Sequence, residues 1–186
     1  MTRIRVREVT TRAFLAMAWS CAMLSVAGCT HESSAMESGP VSGLTAITYN
    51  YSDEVIVSVR VDGRLAGTGM EAAKPGGLTS SGSRCCISLD PWAATVAVEI
   101  KPALVDAYMV EGIVEQPWPT GANSVIVHVL PGRKVVIEAT LGAHNWPRKD
   151  LLEARLKDLG IEKEVEYGGA MNDGRNTYDG YMEVPK

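Results

Sequence analysis

Short runs of alternating apolar and polar residues recur along this chain, and they constrain its fold more than any other feature. Successive residues of a strand face opposite sides of a sheet, so an alternation of period two makes a strand with one buried face. Residues 54–61 give a clear case: Val55, Val57, Val59 and Val61 fall on one face, and Ile56, Ser58 and Arg60 on the other. Residues 44–51 form a strand before it. Asp62-Gly63 follows as a tight-turn pair, because both residue types tolerate positive φ, and residues 64–68 return as a third strand. Residues 69–83, rich in Gly, Ser and Pro, read as a loop. Residues 84–89, 95–101 and 106–115 read as further strands, broken by Gln116-Pro117-Trp118-Pro119. Residues 124–130 and 134–141 flank Pro131-Gly132-Arg133 as a hairpin.

One helix is expected, late in the chain, over 147–159. Pro147 suits a first helical turn and Gly160 the residue after the last. Between them Leu152, Leu156 and Leu159 share a face with Leu151 beside them, and Glu153 and Lys157 can pair across one turn. Residues 161–167 alternate again, with Glu162, Glu164 and Glu166 on one side, and the Gly-, Asn- and Asp-rich residues 168–186 read as a flexible tail. Seven or eight short strands with one helix predict a mainly β domain over 44–167, an Ig-like or transthyretin-like β-sandwich with one C-terminal helix.

The first 28 residues have the shape of a secretory signal: Arg3, Arg5, Arg7 and Arg12, then an uncharged apolar stretch over 13–26. That stretch is shorter than the roughly 18 apolar residues a membrane span needs. Its end, Val26-Ala27-Gly28-Cys29, is a lipoprotein cleavage site, so Cys29 is expected to become the lipidated N-terminus, carrying diacylglycerol and palmitate. Residues 29–43 form a polar, flexible tether. Thr30, where an aspartate would favour retention in the inner membrane, directs the protein to the outer membrane, facing the periplasm. The whole chain carries −4, and the signal removes four arginines against one glutamate, so the remainder is more acidic still. Such a balance argues against nucleic acid as a partner and against docking on anionic lipid by charge. The membrane link then rests on acyl chains, each buried methylene contributing about 0.8 kcal/mol.

Signatures of chemistry are sparse. Cys21 leaves with the signal and Cys29 takes lipid, which leaves the adjacent Cys85 and Cys86 in an oxidising compartment. A vicinal disulfide, two free thiols or a link to another chain are all open. Neighbours on a regular strand point apart, so closure of the pair needs a bend there. A structural role is expected, since neither a C-x-x-C spacing nor histidines at ligand spacing accompany them. His31 lies in the tether, His128 reads as a satisfied strand histidine, and His144 sits in a loop. Asp53-Glu54 and Glu111 with Glu115 read as surface charge, and no nucleophile, zinc-protease or phosphate-loop motif occurs. No catalytic residue, metal or cofactor is therefore expected, and the chain does not read as an enzyme. Trp92, Trp118 and Trp146 each lie beside proline at turns. Tryptophan there suits an interface, the alternative being that the rings cap the ends of the sandwich. Trp118, Trp146, Tyr178, Tyr181 and the loop over 69–83 are the candidate partner contacts.

Ala46-Ile47-Thr48-Tyr49-Asn50-Tyr51-Ser52-Asp53, Val59-Arg60-Val61-Asp62-Gly63, the Gly-rich loop, Cys85-Cys86-Ile87-Ser88-Leu89 and Val127-His128-Val129-Leu130-Pro131-Gly132 follow one another over residues 44–146. This order resembles a family of small bacterial lipoproteins that occur near type VI secretion lipase effectors. The Cys-Cys step is its most specific part, and the helix and acidic segment after Trp146 have no counterpart in it. The resemblance implies an immunity protein that neutralises a phospholipase effector in the periplasm, and it carries over no catalytic residue. The other reading is a structural or scaffold lipoprotein of a secretion or envelope complex. Partner, oligomeric state and binding face stay open at the level of sequence.

Overall fold

The computed structural model describes residues 39–142, 145–162, 170–172 and 180–182, all within one unit, Met36–Lys186. Among them are nine strands: β1 (Val41–Asn50), β2 (Ile56–Val61), β3 (Arg64–Met70), β4 (Thr79–Ser80), β5 (Arg84–Leu89), β6 (Thr95–Pro102), β7 (Tyr108–Val114), β8 (Ser124–Leu130) and β9 (Lys134–Thr140). One helix, α1 (Lys149–Asp158), follows. The fold is mainly β with one short late helix, as the sequence predicts. Hydrogen bonds join all the strands into a single barrel-like sheet, in the order β3-β2-β6-β7-β9-β8-β1-β4, with β5 also on β1. Neighbours are antiparallel except β1 with β8 and β7 with β9.

The hairpins follow from their turn residues. Asp62 and Gly63 both take positive φ, 46° and 73°, which matches the twist of the flanking strands β2 and β3. The far edges of the sheet approach each other where Thr48 Oγ1 donates to the Ala66 carbonyl at 3.0 Å and Arg84 Nη2 donates to Thr68 Oγ1 at 2.7 Å. Gly67 permits this approach, because a Cβ there would lie 2.5 Å from Thr48 Oγ1.

Leu44, Ala46, Val59, Val98, Ile100, Val127 and Ile137 meet inside the barrel. β8 is buried on both faces, which is why it reads as a nearly continuous apolar run. Val125, Val127 and Val129 point into the barrel, whereas Ile126 packs outside with Tyr49, Tyr51 and Leu152 of α1. The helix thus forms an outer layer over β1 and β8. It ends with Gly160 at φ 66°, the Ile161 N–H on the Leu156 carbonyl and the Gly160 N–H on the Lys157 carbonyl. That arrangement satisfies the last carbonyls of a helix through a left-handed glycine.

Three expectations change. Val55 and Val57 do not share a face with Val59 and Val61. Ile56 pairs with Pro102 but Ser58 with Lys101, so β2 carries one extra residue against β6. The bulge reverses the phase: Ile56, Val59 and Val61 are buried, and Val55 and Val57 lie at the surface. Helix α1 starts two residues beyond Pro147, with Arg148 as its extended N-cap. Two pieces of the expected tail are bonded to the domain. Asn172 pairs with Arg148, and Tyr181 bridges Pro119, with the Met182 N–H on the Trp118 carbonyl at 2.8 Å. The signal, residues 29–38 of the tether, and residues 163–167 of the last expected strand lie outside the described residues.

Candidate functional site

The candidate residues are scattered rather than gathered. Trp118 is corrected from contact residue to core residue. The chain crosses the barrel's end at 118–119, held there by Met182, so the indole turns inward and is fully buried. Its Nε1 has no hydrogen-bond partner. Trp146 is 45 % exposed, and its carbonyl accepts from Asn172 Nδ2. Tyr181 is half-buried in its bridge to Pro119, and Trp92 is half-buried in the turn before β6. Cys29, His31, His144 and Tyr178 lie outside the described residues. Glu54 and Glu115 are not part of a carboxylate pair: the first accepts from Tyr108 Oη, the second holds Arg148.

Cys85 and Cys86 form a disulfide with each other, at an exposed position of β5. Ala46 pairs with Arg84 and Leu44 with Ile87, so three steps on β5 match two on β1. The cysteine pair thus lies where β5 is bulged against β1. The loop over 69–83 is only partly free. The Ala73 N–H donates to the Ser52 carbonyl, Asn50 Nδ2 and Thr79 Oγ1 donate to the Glu71 carbonyl, and Met70, Ala73 and Ser81 are buried.

A polar cluster that the sequence did not single out lies between the sheet and α1. Tyr51 Oη and His128 Nδ1 share a hydrogen bond of 3.1 Å, and His128 Nε2 lies 3.4 Å from Glu138 Oε2. The Arg148 backbone N–H donates to Tyr51 Oη at 3.1 Å, and its guanidinium binds Asp150 and Glu115. Burial pushes the Tyr51 phenol well above its ordinary value. Burial alone would lower the Arg148 guanidinium, but Asp150 and Glu115 outweigh it and hold it above the ordinary value. His128 is fully buried and Glu138 nearly so. The cluster ties strands β1, β8 and β9 to the start of α1, and its histidine is closed to substrate. Its signal in the sequence is Tyr49, Tyr51 and His128 on the outer faces of strands whose inner faces are apolar.

The exposed apolar surface lies elsewhere. The turn from β6 to β7 carries Leu104, 93 % exposed, and Val105 beside it. The Ala103 N–H donates to the Val55 carbonyl at 2.9 Å, which brings Val55 and Val57 next to this turn. Tyr108 follows, its hydroxyl donating to Glu54 and its ring under the Arg133 guanidinium at 4.3 Å. Burial, helped by the Glu54 bond and charge, pushes its phenol up to about 12. Hairpin turns are ordinarily polar, so Ala103-Leu104-Val105 is the anomaly in the sequence that marks this surface.

Among the described residues no helix is long and apolar enough to cross a membrane, and no group of three or more His, Cys, Asp or Glu could hold a metal ion. No family model, curated protein or solved structure matches the chain.

Proposed function

We propose that the protein is a lipid-anchored immunity protein, held at the outer membrane and facing the periplasm, that binds and neutralises a phospholipase effector of type VI secretion. It acts by covering its partner, not by chemistry. The observation that carries this reading is the Leu104 turn, an apolar surface whose exposure is costly unless something covers it. Strand polarity supports it. β1 begins at Val41, and β6, antiparallel to β2, ends at Pro102. The tether therefore enters at one end of the barrel and the apolar turn sits at the other, away from the anchor. We read the barrel further as a flattened sandwich of the Ig-like or transthyretin-like kind. Its layers are β3-β2-β6-β7 and β9-β8-β1-β5, joined where Gly112–Val114 pair with Val135–Ile137. Loops then gather at the two ends, as in binding domains of that architecture.

The test is periplasmic co-expression with a type VI phospholipase effector, sought first among the genes that neighbour this one. The wild-type protein is expected to restore growth and to co-purify with the enzyme, and Leu104→Glu to do neither while keeping its melting temperature. Cells that tolerate the phospholipase equally well without the protein would overturn the proposal. Co-purification with membrane-spanning machinery and no lipase would favour a scaffold lipoprotein instead.

A further inference from the structure

A second site stands apart from the Leu104 turn and does not depend on the effector reading. Arg155, in the last turns of α1, is only 6 % exposed. Its guanidinium donates to the carbonyls of Gly77 at 3.2 Å and Ala73 at 3.4 Å, and its Nε has no hydrogen-bond partner. Among the described residues it makes no ion pair, and Asp53 is the acidic group whose field reaches it. Burial pulls the guanidinium below its ordinary value, with Asp53 offsetting part of the effect. A buried cation held by two long carbonyl bonds is an unbalanced charge, and buried charges are ordinarily paired.

Arg155 also forms part of the wall of a cleft of about 250 Å³ between α1 and the β8–β9 turn. Leu130, Leu151 and Leu159 make the cleft apolar. Lys134 and Asp158 complete its charged lining, so the balance with Arg155 is positive. The space falls below the roughly 300–1,000 Å³ of sites for drug-sized ligands. It suits one short alkyl chain and excludes a two-chain phospholipid.

We propose that this cleft binds a single-chain anionic amphiphile, a fatty-acid carboxylate, with the chain among Leu130, Leu151 and Leu159 and the anion drawn by Arg155 and Lys134. The carboxylate meets Lys134 at the rim and lies in the field of Arg155, whose guanidinium stays on the Gly77 and Ala73 carbonyls, and the chain fills apolar space that water occupies at a cost.

The test is calorimetric titration of the full chain, held in an amphipathic polymer free of lipid, with decanoate, decanol and inorganic phosphate. Decanoate is expected to bind saturably, decanol about tenfold or more weakly, and phosphate not at all. Two variants change the cleft at exposed positions without touching Arg155. Ala154→Trp fills it and Lys134→Glu reverses its rim, and each is expected to weaken decanoate about tenfold with an unchanged melting temperature. No saturable binding of decanoate, equal binding of decanol or of phosphate, or undiminished binding by either variant would each overturn the proposal.

Discussion

Gly112 shows how little room the barrel leaves at one position. A Cβ there would lie 2.8 Å from Val98 Cγ2, 3.2 Å from Ile137 Cδ1 and 3.3 Å from Val135 Cγ1, with β6 and β9 on either side. Alanine would restrict the unfolded chain, a gain of about 0.4–1 kcal/mol. Forcing a methyl into a packed core costs about 1–3 kcal/mol and wins. Gly112→Ala is therefore expected to lower the urea midpoint with an unchanged slope. Trp118 teaches the opposite lesson at this scale. Its flanking prolines fit both a partner contact and a ring that caps an end of the fold, and its full burial with the core removes the first. Whether a turn residue points in or out depends on what lies across the gap, and local sequence holds no record of that.

Helix α1 is held at its start by Arg148 and along its length by Leu152 and Leu156. Burial would raise the Asp150 carboxyl, but the Arg148 hydrogen bond and charge outweigh this and hold it below its ordinary 3.8. A carboxyl depressed in the fold stabilises it fully above that ordinary value and loses its contribution as the pH falls through the depressed one. Acidification below about pH 4 should therefore loosen the start of the helix. Asp150→Asn is expected to melt lower at neutral pH and to show a flatter decline on the acid side, read from melting temperature against pH. Strand positions were legible where alternation, a local property, is clean: β6 falls at Thr95–Pro102, where the pattern puts it. The reversal of phase at Val57 was not, since a bulge is a mismatch between two strands and appears only when β2 meets β6. The polar cluster was hidden for a related reason. Arg148 and Tyr51 are 97 residues apart in the chain, and the helix that joins them crosses the outside of the sheet.

At the scale of the whole molecule, the tasks proposed above would separate along the barrel. The chain enters β1 at one end, and the Leu104 turn and the Arg155 cleft lie toward the other. Cys29→Ser is expected to abolish palmitate labelling and to release the protein from the membrane fraction, with the thermal melt of the domain unchanged; a variant that stays fully particulate would remove the anchor from the reading. The apolar end was only partly legible, because its four residues come from two segments that only the β2–β6 pairing brings together.

The wall of the barrel is not equally thick. β8 and β9 zip along their whole length, from Ser124 with Thr140 to Leu130 with Lys134, but β7 meets β9 only at Gly112–Val114. Of the ladders that run from β3 round to β1 this parallel stitch is the shortest, so backbone amides at Gly112–Val114 are expected to exchange with solvent sooner than those of β8.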